Sequence, residues 1–189
     1  MERLVLASAS PRRREILDLL GLDYEVMPAV GEESLDPALP LEQAVIGVAR
    51  AKAEEVAAHY PGRLVLGADT TVAVDSQPLG KPRDEQEAAA MLRLLQGRWH
   101  RVLTGVWVCG PAGGGGFCSA TNVEFYPLSN EEITAYIATG EPMDKAGGYG
   151  IQGRGMRFVR QINGDFYTVM GLPGARLWHF LQDYPVING

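Results

Sequence analysis

Three charged residues occupy places where the local pattern calls for an apolar side chain. Residues 41–59 have the spacing of a long helix, and Val45, Val48, Ala49 and Val56 form its core-facing stripe; Lys52 falls on that stripe, while Glu54 and Glu55 lie off it. A lysine there either runs its stem to the helix edge or needs an anionic partner. Arg13 precedes Ile16 and Leu17 by three and four residues and continues their stripe to the start of a first helix. Asp69 interrupts the apolar run from Leu64 to Val74. A carboxylate in such a run must hold a turn, take hydrogen bonds, pair with a cation or bind a metal.

Further groups of matching chemistry surround these. Ser8, Ser10, Arg12 and Arg13 flank a strand–turn–helix junction. The free N–H groups and positive end of a helix start favour an anion there, and arginine matches phosphate oxygens in bidentate fashion. Gly80-Lys81-Pro82 fixes a further cation in a stiff loop, and Glu32 and Glu33 add carboxylates in an acidic segment. Four cations (Arg12, Arg13, Lys52, Lys81), hard oxygen ligands and a glycine-rich stretch at 140–155 are the components needed to bind a polyphosphate and hydrolyse it with a divalent metal. Spacing along the chain does not establish that they converge.

Other motifs fail. Gly80-Lys81 is no P-loop, because Pro82 follows the lysine and Asp75 stands at the upstream glycine position. Gly148-Tyr149-Gly150-Ile151-Gln152-Gly153 has the letters of a dinucleotide fingerprint without the strand before it or the helix after it. Its glycines read instead as places where backbone approaches a ligand. His59, His100 and His179 lack metal-ligand spacing.

The elements that must position these residues follow from periodicity and capping. Residues 4–7 and 24–27 read as strands. Ser10-Pro11 opens the first helix and Gly21 ends it. Residues 31–40 read as a loop, and Leu64 to Val74 as a strand interrupted at Asp69 or as two strands meeting there. Gln77-Pro78 reads as a turn. Residues 84–95 form a helix, and 99–109 and 117–126 a hairpin around Gly113–Gly116. Ser129, with Glu132 three residues on, caps a helix to Ile137. Asn163-Gly164 predicts a hairpin joining strands at 156–162 and 166–170, and a last helix runs from about Gly174 to Leu181. The expected fold class is α/β with a mixed sheet, in a single domain over 1–189.

Composition bounds the rest. The 189 residues suit one domain or one with two lobes, and 46% hydrophobic with 21% charged residues excludes a disordered or fibrous chain. Net charge −6 gives no broad footprint for nucleic acid or an anionic membrane. Val102 to Val123 lacks charge, but its Pro and Gly residues break any membrane helix. Cys109 and Cys118 read as reduced thiols or as facing one another across the hairpin, and the chain reads as soluble and cytoplasmic.

Ser8-Ala9-Ser10-Pro11-Arg12-Arg13, Gly67-Ala68-Asp69-Thr70, Gly80-Lys81-Pro82 and Asp144-Lys145-Ala146-Gly147-Gly148-Tyr149-Gly150-Ile151-Gln152-Gly153 together resemble the Maf family of nucleotide pyrophosphatases, in order and over nearly the whole chain. One departure is Gly148, where many relatives have Ala. The resemblance implies an elongated mixed sheet in two lobes with a central cleft, similar to the inosine triphosphate pyrophosphatase fold. It implies hydrolysis of a nucleoside triphosphate to monophosphate and pyrophosphate, a Mg²⁺ or Mn²⁺ ion, and a homodimer. By motif, Asp69 is the proton acceptor, and Ser8, Arg12, Arg13, Lys52 and Lys81 bind phosphates, Lys81 within the catalytic group. Asp69 and Glu32 hold the metal or assist the water. Subgroups of the family differ at three places, where Arg12, Thr70 and Gln152 match the type acting on dTTP and UTP rather than that acting on 7-methyl-GTP. Gln152 has both a donor and an acceptor for a uracil or thymine edge. Modified pyrimidine triphosphates are further expected substrates. The family's link to septum formation implies one alternative, a non-enzymatic regulator of cell division that binds nucleotides or a partner protein.

Overall fold

The computed structural model describes residues 3–182. Seven strands form one mixed sheet flanked by helices. They are β1 (Leu4–Leu6), β2 (Tyr24–Val26), β3 (Val65–Val74), β4 (Gln77–Leu79), β5 (Trp99–Gly110), β6 (Gly113–Phe125) and β7 (Val159–Asn163). Their order is β2-β1-β3-β5-β6-β7, with β4 beside β3. β1 runs parallel to β2 and β3, whereas β3–β4 and β6–β7 are antiparallel. The helices are α1 (Pro11–Leu19), α2 (Leu41–Ala57), α3 (Glu85–Leu95), α4 (Asn130–Ile137), α5 (Phe166–Met170) and α6 (Gly174–Gln182). Among the described residues no helix is long and apolar enough to cross a membrane.

The chain divides into two compact units. One comprises Met1–Asp69, Thr104–Ser119 and Gly171–Gly189; the other comprises Thr70–Leu103 and Ala120–Met170. In the first, β1, β3 and α2 enclose Val5, Ala7, Ala53, Val56 and Val65, with Trp107 and Cys109 against them. Small residues let α2 approach the sheet backbone to backbone. A Cβ built on Gly67 would lie 2.9 Å from the Ala53 nitrogen, and one on Gly105 would lie 2.6 Å from the Val45 carbonyl.

The second unit holds an aromatic cluster into which α4 contributes Tyr136. Tyr136, Phe125 and Phe158 are fully buried. His100 stands edge-on to Phe125 and Tyr149, shares a 2.8 Å hydrogen bond through Nε2 with the Tyr149 hydroxyl, and has no hydrogen-bond partner for Nδ1 among the described residues.

Four local expectations are corrected. β3 is continuous through Asp69, whose position is half-buried rather than a break. The turn lies at Asp75 and Ser76, both with positive φ as in a two-residue hairpin, and Gln77-Pro78 belongs to β4. Proline is tolerated there because β4 pairs only with β3. Gly113–Gly116 is strand, not loop. The Trp107 indole of β5 lies over it, so that a Cβ on Gly114 would come 3.0 Å from Nε1, and Phe180 covers Gly115. Aromatic cover of this kind compensates for glycine in a strand. Finally, residues 166–170 are helix. The Asp165 carboxylate accepts hydrogen bonds from the Thr168 N–H at 2.6 Å and its hydroxyl at 2.7 Å. That N-cap starts α5 where Asn163-Gly164 alone would predict a returning strand.

Two outcomes test this packing. Gly67→Ala forces a methyl into α2 backbone and should cost about 3 kcal/mol, the upper end for over-packing, read as a lower urea midpoint. Burial, aided by Arg98, lowers the His100 imidazole from 6.5 to about 4. The unfolded chain therefore binds more protons between these values. The stability His100 contributes is complete above about pH 6.5 and is lost as pH falls toward about 4. It amounts to about 3 kcal/mol, so His100→Gln should flatten the acid limb of a denaturation series by that order.

Candidate active site

Alternation along β3 puts Gly67 and Asp69 on one face, toward α2. Because Gly67 has no side chain, Ala49 and Ala53 rest on the strand, and Lys52 between them projects beside Asp69. Its Nζ donates to Asp69 Oδ1 at 2.8 Å and pairs with Glu33 Oε1 at 2.9 Å. Lys52 is 8% exposed. The apolar stripe thus carries a cation whose burial is offset by two carboxylates, and its stem does not run to water.

The start of α1 adds a second layer of positive charge. Ser10 holds the N-cap position without a side-chain cap bond, and its N–H donates to Ser8 Oγ at 3.3 Å. Arg13 is buried as its stripe predicts. Its Nη1 donates to Ser8 Oγ at 2.9 Å and its Nε to the Gly171 carbonyl at 2.9 Å. Burial lowers the guanidinium below the ordinary arginine value, Arg12 adds to this, and Asp69 and Glu33 oppose it. Both carboxylates therefore act on Arg13 as well as on Lys52.

Of the residues expected at a site, Ser8, Arg12, Arg13, Lys52 and Asp69 fall in the first unit; hydrogen bonds join Ser8 to Arg13 and Lys52 to Asp69, and the charges of Arg12 and Asp69 act on Arg13. Glu32 is exposed, and its neighbour Glu33 is the carboxylate on Lys52. Thr70, Lys81 and Gln152 fall in the second unit. Thr70 is half-buried on β3, Lys81 is exposed beside Pro82, and Gln152 is exposed in the glycine-rich loop.

Sequence reasoning missed Glu55. Its carboxylate accepts from the Val30 N–H at 2.8 Å and the Gly31 N–H at 3.0 Å. One helical turn beyond Lys52, it ties down the segment that carries Glu33. Its displacement from the apolar stripe was visible, but nothing in the sequence named its partner.

Among the described residues no group of three or more His, Cys, Asp or Glu is arranged to hold a metal. A magnesium-type ion needs no such cage, since one or two carboxylates complete its shell with phosphate oxygens and water. Asp69 and Glu33, converging on one ammonium, have that donor chemistry.

Two substitutions test the arrangement. Lys52→Met leaves two carboxylates facing one another and should lose about 3–5 kcal/mol of stability, recovered in part by adding Asp69→Asn. Glu55→Ala should speed hydrogen exchange at Val30 and Gly31 and leave β3 protected. Unchanged exchange at those amides would remove Glu55 from this role.

The family model described as Maf-like protein matches residues 3–184. The chain is 51% identical over 176 residues to the dTTP/UTP pyrophosphatase of Geobacillus sp. (strain WCH70), covering 93% of this chain and 95% of that protein. It is 48% identical to the dTTP/UTP pyrophosphatase of Bacillus velezensis, covering 98% of each. Among solved structures, the Staphylococcus aureus Ham1 protein aligns over 66% of this chain and 72% of its own, with a TM-score of 0.45 and 17% identity. With a family match that spans nearly every residue and relatives near half identity at full length, the chain belongs to the Maf-like family.

Proposed function

We propose that this protein is a nucleoside triphosphate pyrophosphatase, hydrolysing dTTP, UTP and modified pyrimidine triphosphates to the monophosphate and pyrophosphate. The observation that carries this reading is the buried Lys52 held between Asp69 and Glu33, with Arg13 under the field of both. The dTTP/UTP pyrophosphatases of the Geobacillus and Bacillus relatives supply the substrate class.

Asp69 takes a proton from water as the water's oxygen bonds to the α-phosphorus. The bond to the bridging oxygen breaks, and pyrophosphate leaves with that electron pair. Lys52 fixes the Asp69 carboxylate, so the acceptor is oriented before substrate arrives. Arg13 is held from two sides by Ser8 and the Gly171 carbonyl and bears charge toward the same carboxylates. A cation so constrained stabilises developing phosphate charge with little reorganisation. Arg12 and Lys81 add phosphate contacts, and Thr70 and Gln152 select the base. Asp69 and Glu33 would hold a Mg²⁺ or Mn²⁺ ion, which neutralises phosphate charge and polarises phosphorus when bound.

The test is pyrophosphate release from dTTP, UTP and their modified forms, with Mg²⁺, Mn²⁺ and chelator compared. Asp69→Asn should lower kcat by ~10²–10⁴-fold while the unfolding transition stays cooperative. Orthophosphate as first product, or near-normal turnover by that variant, would refute the assignment.

A further inference from the structure

The glycine-rich loop closes on a carboxylate of its own chain. α4 ends at Ile137, and Glu141 opens the short 3₁₀ turn Glu141–Asp144. Glu141 Oε2 accepts from the Arg154 N–H at 2.9 Å, and Oε1 accepts from the Gly155 N–H at 3.2 Å and the Tyr136 hydroxyl at 2.8 Å. The Tyr136 oxygen accepts in turn from the Gly150 N–H at 3.1 Å. Tyr136 is fully buried on α4, so this anchor does not swing. Lys145 donates to the Glu141 carbonyl at 2.9 Å.

The glycines fit this purpose. A Cβ on Gly153 would strike the Glu141 carboxylate, reaching 2.7 Å from Cδ, and one on Gly155 would come 2.7 Å from the Gly150 carbonyl. The backbone approach read from the sequence as room for a ligand is, at Gly153, room for Glu141. Burial by itself would raise the Glu141 carboxyl. The Arg154 and Gly155 amides, the Tyr136 hydroxyl and the Lys145 ammonium outweigh it and hold the carboxyl below its usual range.

Between the anchored amides of residues 150 and 154 stands Gln152. It is exposed and makes no hydrogen bond or ion pair with the described residues. The anchored backbone on either side of it therefore sets where its side chain leaves the loop. We propose that Glu141 is a positioning residue for nucleobase selection: its carboxylate, with the Tyr136 hydroxyl, clamps three amides of residues 150–155 and so fixes the placement of Gln152. This rests on the proposed function, in which Gln152 reads the pyrimidine edge.

Glu141→Gln keeps the volume but sets an N–H₂ donor against an amide donor or the Tyr136 hydroxyl. With the full-length enzyme and its divalent metal, kcat and KM are measured for UTP and GTP. KM for UTP should rise about tenfold with kcat changed less than about twofold, and the UTP-over-GTP preference should fall about tenfold. Gln152→Ala should do the same, and the double variant should be no worse than Gln152→Ala alone. Hydrogen exchange should quicken at Arg154 and Gly155 in the Glu141→Gln protein. The wild-type preference tests the proposed function; the change from wild type to variant tests Glu141. A wild-type enzyme without pyrimidine preference overturns both readings. Preference kept in Glu141→Gln, additive losses in the double variant, or an equal loss of kcat on UTP and GTP overturns the positioning role alone.

Discussion

A lysine ammonium buried between a strand and a helix is tolerable only while its anionic partners stay in place. Taking both charges of a pair from water costs several kcal/mol per ion, and removing one partner costs about 3–5 kcal/mol. That condition governs the first unit. Gly67 must be glycine so that α2 sits against β3, Ala49 and Ala53 must be small, and Asp69 must share the face of Gly67. Only with Asp69 and Glu33 replaced by apolar residues as well would a Met or Leu at position 52 satisfy the core stripe more cheaply. Retention of Lys52 as a cation, with two carboxylates on it, is what separates a site from a core.

Arg13 and the segment that carries Glu33 are both held by residues outside their own elements. Ser8 and the Gly171 carbonyl hold Arg13, from 5 and 158 residues away. Glu55 holds Val30 and Gly31, whose segment carries Glu33. Each partner removes rotamer or backbone freedom that a phosphate would otherwise have to freeze on binding.

What the sequence discloses depends on whether a signal is local. Burial of Arg13 and Lys52 follows from helical periodicity, and Asp69 stands out as a charge in an apolar run. The capping box at Ser129 and Glu132 forms as its letters require. That Glu33 is the carboxylate paired with Lys52 is a tertiary contact, and two adjacent glutamates in a loop give no clue to it. Asn163-Gly164 carries the letters of a hairpin, and the competing N-cap, Asp165 on Thr168, starts a helix directly after it instead. Gly113–Gly116 reads as loop on glycine's low strand propensity, which is local, while the Trp107 and Phe180 rings that cover it come from elsewhere.

Glu55 and Glu141 show the same device in different units. Each is a carboxylate that receives two consecutive backbone N–H groups, Val30 and Gly31 in one case, Arg154 and Gly155 in the other. Consecutive amides with a nearby glycine are also what a protein offers to phosphate, so glycine spacing alone does not tell an exogenous anion from an internal one. The difference lies in what the loop then presents. An internal carboxylate satisfies the amides itself, and the tethered segment presents side chains instead: Glu33, paired with Lys52, in the first unit and the exposed Gln152 in the second. Around Gly153 the close backbone approach that glycine permits is therefore taken up by the chain's own Glu141 and not by a ligand's anion.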